Sequence, residues 1–282
     1  MDHFKKKTKY ILITGCSSGI GYETAKYLKD RKFNIIVSSR KTIDVKRLSE
    51  EFDHSIHLDI SSSKSIKKAY SLIKKIIKNN YIYGIFCNAG YGQWGALEDL
   101  TINLIKKQFD ANIFGHIELI NLFIPYMRKQ NEGRIIFNSS VLGLVSLPYC
   151  SAYNATKFAM EAFASSLRLE LINTKIKVSL IEPGPIESNF NINALKHFKK
   201  ININKSFHKK KYLKFNKYFN RSKNKFTLPA LSVAEKVFTI LKSNNPKAQY
   251  YVTLPTYILS YSRFLPNSVF EKFLTLISKS RG

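Results

Sequence analysis

The chain has 282 residues, enough for one large α/β domain or two small ones, and contains no run of about 20 apolar residues that would span a membrane. Its formal charge of +27 indicates either a polyanionic partner or lysine that accumulated on a tolerant surface; we favour accumulation, because Ile and Asn are also abundant and no nucleic-acid-binding motif is present. Three distant cysteines, Cys16, Cys87 and Cys150, argue against a disulfide framework or a bound metal and predict a reducing, cytoplasmic compartment.

The first predicted elements are a strand and a helix joined by a glycine-rich turn. The basic segment from Met1 to Lys9 precedes an apolar run too short for a secretion signal. That run, Tyr10–Ile13, is typical of a buried parallel strand, and a helical pattern follows from residue 20 to about residue 31. Between them stands Thr14-Gly15-Cys16-Ser17-Ser18-Gly19-Ile20-Gly21, with glycines spaced G-x-x-x-G-x-G.

This turn has the properties of a dinucleotide site. Glycine lets the backbone approach a pyrophosphate, and a helix N-terminus supplies N–H donors and a positive dipole. A plain glycine-rich turn is the alternative, but the flanking strand and helix favour phosphate binding. We expect contacts from Gly15, Ser17, Ser18, Gly19, Ile20 and Gly21.

The second strand, Asn34–Arg40, indicates which dinucleotide binds. An NAD site usually places Asp or Glu at the end of this strand, on the ribose hydroxyls. Here the strand ends in Ser38, Ser39 and Arg40, and an Arg can pair with a 2′-phosphate that a carboxylate would repel. We therefore predict NADP(H) in preference to NAD(H), with an ordinary surface Arg as the alternative.

The third strand, Ser55–Leu58, ends at Asp59 and Ile60, two further candidate cofactor residues. The Asp59 carboxylate is placed to accept a hydrogen bond from an adenine amino group. The alternative is that Asp59 caps the helix expected at residues 61–78.

A fourth strand at Ile82–Phe86, a long helix at Thr101–Lys129 and a fifth strand at Arg134–Phe137 follow. Asn112 falls inside the long helix, where Asn is mildly unfavourable, so it either faces solvent or holds a water or a backbone group. Small residues after the fourth strand suit a backbone lying against a ligand. They are Asn88, Ala89 and Gly90.

The helix predicted from residue 151 to about residue 173 carries Tyr153 and Lys157, which lie one turn apart on one face. A nearby ammonium favours a phenolate, so we expect Lys157 to lower the pKa of Tyr153 and make it a general acid or base. A sixth strand at Lys177–Ile181 leads to Pro183, Gly184, Ile186 and Ser188, and a last strand is expected at Gln249–Thr253. Strands thus alternate with helices without a linker, which predicts one doubly wound α/β domain whose motifs meet at one sheet edge.

Together these motifs resemble the short-chain dehydrogenase/reductase family, in its standard-length branch, over about residues 9–190. Thr14–Gly21 is similar to the family's T-G-x-x-x-G-x-G, and Cys87–Gly90 is similar to N-N-A-G with Cys for the first Asn. Pro183-Gly184 with Ser188 is similar to P-G-x-x-x-T with Ser for Thr. The stretch around Ser140 also looks like the branch of hydroxysteroid, retinol and related lipophilic-alcohol dehydrogenases.

The resemblance implies a catalytic four: Asn112, Ser140, Tyr153 and Lys157. Ser139 competes with Ser140, but the family's serine lies thirteen positions before the Tyr. The implied fold is a Rossmann-like, mostly parallel sheet of about seven strands with helices on both faces.

The implied reaction passes hydride between NADP(H) and a carbonyl carbon, with Tyr153 exchanging the proton, Ser140 holding the substrate oxygen, and Lys157 binding the nicotinamide ribose. Asn112 is expected to support a water that passes protons to Lys157. Ser140 and Tyr153 are thus the substrate-binding residues as well. By the same resemblance, remaining cofactor contacts come from the turn and strand-end residues named above, and the protein forms a homodimer or homotetramer.

Residues 189–228 contain many basic and aromatic residues and no acidic one, which predicts a lid over a lipophilic or anionic substrate, or else a lysine-rich surface loop. The tail at 255–282 is rich in large apolar residues that could close the pocket, pack on another subunit or rest on a membrane surface.

Two rival functions stay open from the sequence. One is an NAD-dependent alcohol or hydroxysteroid dehydrogenase on the same fold. The other is a basic membrane- or nucleic-acid-binding protein on an inactive reductase fold, against which the four intact catalytic positions speak.

Overall fold

The structure is a computed structural model that describes residues 7–220 and 225–279, with side chains described for 7–215 and 225–276. The predicted strands lie within two residues of their observed positions, which shows that short β-branched runs between turns were read correctly. The strands are β1 (Lys9–Ile13), β2 (Asn34–Ser39), β3 (Ser55–His57), β4 (Tyr81–Cys87), β5 (Gly133–Asn138), β6 (Ile176–Glu182) and β7 (Gln249–Tyr251).

All seven strands are parallel and form one sheet in the order β3-β2-β1-β4-β5-β6-β7. The order reverses between β1 and β4, and ligands bind at such switch points, beyond the carboxyl ends of the strands. The expected doubly wound, Rossmann-like domain is confirmed.

Helices cover both faces of the sheet. They are α1 (Gly19–Asp30), α2 (Thr42–Glu51), α3 (Ser63–Ile77), α4 (Ile102–Phe109), α5 (Gly115–Gln130), α6 (Ser151–Glu170), α7 (Phe190–Phe198), α8 (Lys209–Asn220), α9 (Leu231–Lys242), α10 (Leu254–Ser262) and α11 (Asn267–Lys279). One core lies under α3, α5 and α6, and another lies under α1, α2 and α9. Strands buried on both faces explain why their sequences are nearly continuous apolar runs.

The long helix predicted at Thr101–Lys129 is interrupted. It consists of α4, a π-turn at Asp110–Phe114 and α5, and Asn112 lies within the π-turn. Gly115, the first residue of α5, lies so close to the Ile60 carbonyl that a Cβ there would be 1.6 Å from the oxygen, which accounts for glycine at this position. The helical region predicted at Thr101–Lys129 is confirmed to within one residue at each end, but the side-chain pattern does not show the wider π-turn inside it.

A third apolar cluster lies at the carboxyl edge of the sheet and combines residues from distant parts of the chain. We call it the aromatic cluster; it includes Trp94, Tyr153, Phe198, Tyr212, Phe215, Leu259 and Leu274. Segment 189–228 was expected as a lid and segment 255–282 as a tail; most of their described residues form α7 and α8 in the first and α10 and α11 in the second. Within those two segments, residues 221–224 and 280–282 and the side chains of 216–220 and 277–279 lie outside the described residues.

Candidate active site

The glycine turn is tied to the ends of β4 and β5 by a small set of hydrogen bonds. Thr14 Oγ1 accepts from the backbone N–H of Asn88 and of Ala89, both at 2.9 Å. The Asn88 amide donates to the carbonyls of Thr14 at 2.9 Å and Gly15 at 3.2 Å, and Asn138 Nδ2 donates to Asn88 Oδ1 at 2.9 Å. The Asn88 side chain therefore holds the strand ends together, and we assign any cofactor contact at this residue to its backbone.

The turn itself fits a pyrophosphate. Gly15 has φ +72°, and a Cβ on it would lie 2.9 Å from Ala89 Cα. A Cβ on Gly21 would lie 2.4 Å from the Gly15 carbonyl oxygen. Within the described residues, no side chain caps α1 at Ser18 and no acidic residue stands in its first turn. The N–H groups at this helix start can therefore be satisfied by an anion.

Of the predicted cofactor residues beyond β2 and β3, Arg40 is exposed, whereas Asp59 and Ile60 make contacts within the protein. Arg40 is exposed at the end of β2, close enough to Tyr91 and His197 for its charge to act on both. The Asp59 carboxylate accepts from the backbone N–H of Ser61 at 3.0 Å and from its hydroxyl at 2.7 Å. Asp59 thus closes a turn of the backbone before α3, whereas the cap of α3 is Ser62, so the capping role considered for Asp59 was wrong. The Ile60 side chain is buried in the core.

The segment after β6 crosses over the glycine turn. A Cβ on Gly19 would lie 3.1 Å from Ser188 Cβ, so Ser188 borders the start of α1. The Pro183 carbonyl accepts from Val141 N at 2.9 Å, and a Cβ on Gly184 would meet Thr253 Oγ1 at 2.1 Å. Ile186 pairs with Leu228 as an isolated bridge. The structure thus brings this segment beside the glycine turn, as the predicted cofactor site requires.

Tyr153 and Lys157 lie on the same face of α6, and both are buried. Lys157 Nζ is 5.5 Å from the centre of the Tyr153 ring and donates to the Asn138 carbonyl at 2.6 Å. The Ser140 hydroxyl is close enough to hydrogen-bond Tyr153 and lower its pKa. Ser140 is also the residue before a short 3₁₀ turn at Val141–Gly143, and its Oγ accepts from Leu142 N at 3.1 Å.

The expected direction of the Tyr153 pKa shift was wrong for the protein alone. Burial raises the pKa of Tyr153 above its ordinary value, and the hydrogen bond with Ser140 only partly opposes this. Burial also lowers the pKa of Lys157 to about 8, against the raising effect of Glu161. Desolvation acts on both groups and outweighs the attraction on which the sequence argument rested.

Asn112 uses its side chain to hold a backbone group, one of the alternatives left open for it. Its Oδ1 accepts from Tyr91 N at 3.1 Å, and its Nδ2 donates to the Tyr91 carbonyl at 3.1 Å and to Thr156 Oγ1 at 3.2 Å. Thr156 in turn donates to the Tyr153 carbonyl at 2.8 Å. Gly90 packs directly on Asn112, with 2.9 Å between its would-be Cβ and Oδ1. Asn112 thus joins the loop after β4 to α6.

The two neighbouring serines face different partners. Ser139 is buried and donates to Glu161 Oε1 at 2.5 Å, one turn beyond Lys157 on α6. Ser140 is partly exposed and lies beside Tyr153. The geometry therefore separates a serine that supports the helix from one that faces the cleft.

Sequence reasoning missed the aromatic residues around Tyr153. The ring of Trp94 lies 5.8 Å from that of Tyr153, and the ring of Phe190 lies 5.3 Å from it. His197, at the far end of α7, stacks on Tyr91 at 3.9 Å. Helix α7 therefore lies over the loop after β4. The one sequence feature that could have predicted aromatic packing on Tyr153 is Trp94, the single Trp of the chain, which stands in a glycine-rich loop.

Helix α8 is fastened to the 3₁₀ turn at Leu97–Asp99 by polar contacts. The Tyr212 hydroxyl donates to the Asp99 carboxylate and accepts from Ala96 N at 2.7 Å. His208 Nε2 pairs with Glu98 Oε1 at 2.6 Å. These contacts hold the buried aromatic side of α8 against the site.

The residues that the structure describes meet the requirements of neither a metal site nor a membrane-spanning helix. No group of three or more His, Cys, Asp and Glu side chains there could hold a metal ion. Over the same residues, no helix combines the length and the apolar character needed to cross a bilayer.

The comparisons agree with this geometry. A family model described as short chain dehydrogenase matches residues 9–198. The chain belongs to the short-chain dehydrogenase/reductase family. It is 38% identical over 273 residues to the uncharacterized oxidoreductase YbbO of Escherichia coli K12, covering 96% of this chain and 95% of that protein. It is 30% identical over 271 residues to human 17-beta-hydroxysteroid dehydrogenase type 1, covering 91% and 78%.

Among solved structures, a short-chain dehydrogenase from Streptomyces avermitilis superposes with a TM-score of 0.77 at 22% identity, over 99% of each chain. At that identity the superposition shows the fold, which is shared end to end. With the family model and the relatives, the chain is an oxidoreductase of the short-chain dehydrogenase/reductase family, as its motifs predicted.

Proposed function

We propose that this reductase uses NADP(H) to interconvert a carbonyl and an alcohol on a lipophilic substrate. The observation that carries the proposal is the position of the Tyr153 hydroxyl. It lies beside Ser140, with Lys157 on the same helix face, at the sheet edge that also holds the glycine turn. A proton donor, an oxygen-binding hydroxyl and a pyrophosphate cradle thus share one cleft.

In this proposal Tyr153 and Ser140 act on the substrate oxygen. Because burial raises the pKa of Tyr153, the phenol carries its proton at neutral pH and can give it to that oxygen. Ser140 donates a hydrogen bond to the same oxygen and fixes its position. The dinucleotide, when bound, supplies or accepts the hydride.

Lys157 and Asn112 act around that proton donor. Lys157, held by the Asn138 carbonyl, is placed to bind the nicotinamide ribose and to return a proton to Tyr153. Asn112 positions α6 through Thr156, and it supports the water by which Lys157 is reprotonated. The residues from Gly15 to Gly21 hold the pyrophosphate, with Asp59, Ile60, Ala89, Gly90, Pro183, Gly184, Ile186 and Ser188 around the rest of the dinucleotide.

The choice of NADP(H) depends on Arg40. It is an exposed guanidinium at the end of β2, where an NAD site has a carboxylate. A second guanidinium, that of Arg47, donates to the Ser17 carbonyl at 2.7 Å but faces Asp44 and Glu51 at 3.7 and 3.6 Å. Arg40 is therefore the better candidate for the 2′-phosphate.

The lipophilic substrate follows from the walls of the cleft. Trp94 and Phe190 flank Tyr153, and the aromatic cluster extends from there beneath α7 and α8. Such walls favour an apolar substrate with one polar oxygen. The name of the human relative, a 17-beta-hydroxysteroid dehydrogenase, supports the same substrate class. We further propose a cytoplasmic homodimer or homotetramer, as the family resemblance implies.

The reaction is tested with Tyr153→Phe. We expect turnover to fall more than a hundredfold while NADPH still binds, because the ring stays and only the proton donor is lost. The assay follows NADPH absorbance with a panel of aldehydes, ketosteroids, retinal and 3-ketoacyl thioesters. Tyr149→Phe is the matched control, since its hydroxyl contacts His208 at 3.4 Å and it should change turnover less than tenfold. Near-normal turnover of Tyr153→Phe would refute the assignment.

The cofactor preference is tested with Arg40→Asp. We expect the ratio of NADPH to NADH affinity to fall at least tenfold, because a carboxylate repels the 2′-phosphate. Arg47→Gln serves as the comparison and should leave the ratio within threefold. If Arg40→Asp leaves the preference unchanged, the NADP(H) argument is wrong; if Arg47→Gln alone alters it, the phosphate site lies at Arg47.

A further inference from the structure

Helix α10 exposes its apolar residues and buries its polar ones, the reverse of an ordinary surface helix. Thr256, Ser260 and Ser262 are buried, whereas Tyr261 is 70% exposed. The exposed apolar residues recur three and four positions apart, which places them on one face. We call them the α10 stripe: Leu254, Tyr257, Ile258 and Tyr261, extended beyond the helix end by Phe264 and Leu265.

The buried side of α10 shows that this orientation is stable. The hydroxyls of Thr253 and Thr256 pair at 3.1 Å, and Ser260 and Ser262 each donate at 2.8 Å to a carbonyl three residues earlier. Leu259 joins the aromatic cluster. The polar groups are therefore satisfied inside, and the apolar stripe is the face that the fold leaves outward.

The α10 stripe belongs to the substrate side of the molecule. Helix α10 packs against the 3₁₀ turn at Val141–Gly143, which directly follows Ser140. Leu274 of α11 and Phe215 of α8 bury their side chains in the same aromatic cluster as Leu259. The helices that frame the proposed substrate cleft thus also carry the exposed apolar surface.

Positive charge is concentrated in this same part of the chain. Residues 188–282 contain 19 Lys and Arg against two Asp and Glu, whereas residues 1–187 contain 27 against 17. In the first part the acidic residues number about two-thirds of the basic ones, whereas in the second part they are almost absent, and lysine accumulation alone does not explain that loss of acidic residues. The exposed basic residues in the described part of this region are Lys196, Lys199, Lys200, Lys205, Lys209, Lys210, Lys214, Lys225, Lys242, Lys247, Arg263 and Lys272.

We propose that the α10 stripe docks the protein on an anionic lipid surface. Apolar side chains, aromatic ones among them, enter the boundary of headgroups and acyl chains, and surrounding Lys and Arg attract anionic headgroups. Arg263 stands next to Phe264 and two positions after Tyr261 in the sequence, and all three are exposed, so this short segment carries a charge and two rings towards solvent. Docking in this way would place the substrate side of the fold against the membrane.

The charge favours lipid over the other surfaces that an apolar stripe could cover. A second copy of the chain packed stripe to stripe would bring two strongly basic regions together, which is unfavourable. A nucleic acid would satisfy the charge but leave the apolar residues in water. An anionic bilayer satisfies both features at once.

The test is co-sedimentation of the full chain with vesicles of phosphatidylcholine alone or with 30% phosphatidylglycerol, a composition chosen to give a negative surface. We expect binding to the anionic vesicles only, weakening as salt is raised. The double variant Tyr261→Ser/Phe264→Ser should lose at least tenfold in the fraction bound at fixed lipid. The matched control, Ile43→Ser/Ile172→Ser, removes two equally exposed apolar residues elsewhere and should bind normally.

Three results would overturn the proposal. Binding that is unchanged in Tyr261→Ser/Phe264→Ser, with wild-type NADPH affinity showing an intact fold, removes the α10 stripe from docking. Loss of a dimer by that variant in lipid-free sedimentation would assign the stripe to a second copy. Binding of a single-stranded oligonucleotide in place of vesicles would assign the surface to nucleic acid. Each readout is independent of turnover, so a failure here is distinct from a failure of the proposed reaction.

Discussion

The proposed nucleotide side and the proposed substrate side of this oxidoreductase are held together by different means. On the nucleotide side, backbone meets backbone: Gly15 lies against Ala89, Gly21 lies against Gly15, and the Asn88 amide bonds two carbonyls of the turn. On the substrate side, aromatic rings pack on one another around Tyr153 and Tyr212. The first arrangement tolerates almost no displacement, whereas rings can repack.

This difference explains which changes each side can absorb. A backbone contact cannot yield without moving a strand or a turn, so a single added methyl group disturbs the whole cradle. A ring contact can yield by rotation of a side chain. We therefore expect substitutions of similar size to have very different effects on the two sides.

The largest effect is expected from Gly21→Ala. Its Cβ would lie 2.4 Å from the Gly15 carbonyl oxygen and 2.6 Å from Asn88 Nδ2, so the turn must move. We expect NADPH affinity to fall at least a hundredfold, measured by fluorescence titration. Circular dichroism of the variant should still show the α/β fold; normal affinity would mean that the cradle is not the pyrophosphate site.

The next prediction concerns stability, and here the substitution of Lys157 should make the folded protein more stable. Lys157 is buried and its pKa is about 8 in place of 10.5, so its charge costs roughly 3 kcal/mol in the folded protein below pH 8. Lys157→Met should remove turnover yet raise the free energy of unfolding at pH 7 by about 1–3 kcal/mol, less the lost bond to Asn138.

The effect of Lys157→Met on stability should depend on pH, because the folded protein releases the Lys157 proton at a lower pH than the unfolded chain does. Between pH 8 and 10.5 the unfolded chain keeps the proton on Lys157 while the folded protein has released it, so wild-type stability gains as pH rises there. The advantage of Lys157→Met should therefore shrink over this window in urea unfolding. Lys67→Met, which removes a lysine at an exposed site on α3, is the matched control. An advantage of Lys157→Met that does not vary with pH would contradict the burial argument.

A smaller effect is expected from Tyr212→Phe on the substrate side. The change leaves Ala96 N–H without its acceptor and removes the donor to Asp99, at a cost of about 1–3 kcal/mol. We expect KM to rise severalfold with NADPH affinity unchanged, in steady-state kinetics. Tyr70→Phe, which loses one exposed bond to Tyr126, is the control; equal effects of the two would show that Tyr212 does not hold the substrate wall.

The smallest effect is expected from Gly92→Ala. Its Cβ would approach Phe190 Cζ at 3.0 Å, but a ring can move by a few tenths of an ångström. KM should change by no more than about threefold, far less than the hundredfold loss of NADPH affinity expected for Gly21→Ala. A loss as large as that of Gly21→Ala would mean that the ring is as fixed as the backbone.

The nucleotide side could be predicted from sequence because its constraints fall on residue type. Gly at 15 and 21, and an amide at 88, are each required by a close backbone approach or a specific donor. The strands followed from apolar runs, and β1 and β4 were found to within one residue. The catalytic positions were proposed from spacing and a family resemblance, and the structure brings Ser140, Tyr153 and Lys157 together.

The rest was not predictable because it depends on three-dimensional packing. The raised pKa of Tyr153 results from burial by Trp94 and Phe190, which are distant in sequence. Helix α8 is lysine-rich, so its buried rings, Tyr212 and Phe215, do not stand out as an apolar period. Helix α10 inverts the usual pattern, and a sequence pattern cannot show which of its two faces is the inner one.

The π-turn at Asp110–Phe114 gives Asn112 its position without disturbing the core. Because its i→i+5 hydrogen bonds make this turn wider than an α-turn, it takes up one extra residue while α4 and α5 keep the same faces towards the protein. Deleting one residue of the π-turn would restore a continuous α-helix and leave Leu119 and Phe123 in the core, but it would displace the Asn112 side chain. The bonds of Asn112 to Tyr91 and Thr156 therefore depend on the residue that the π-turn accommodates.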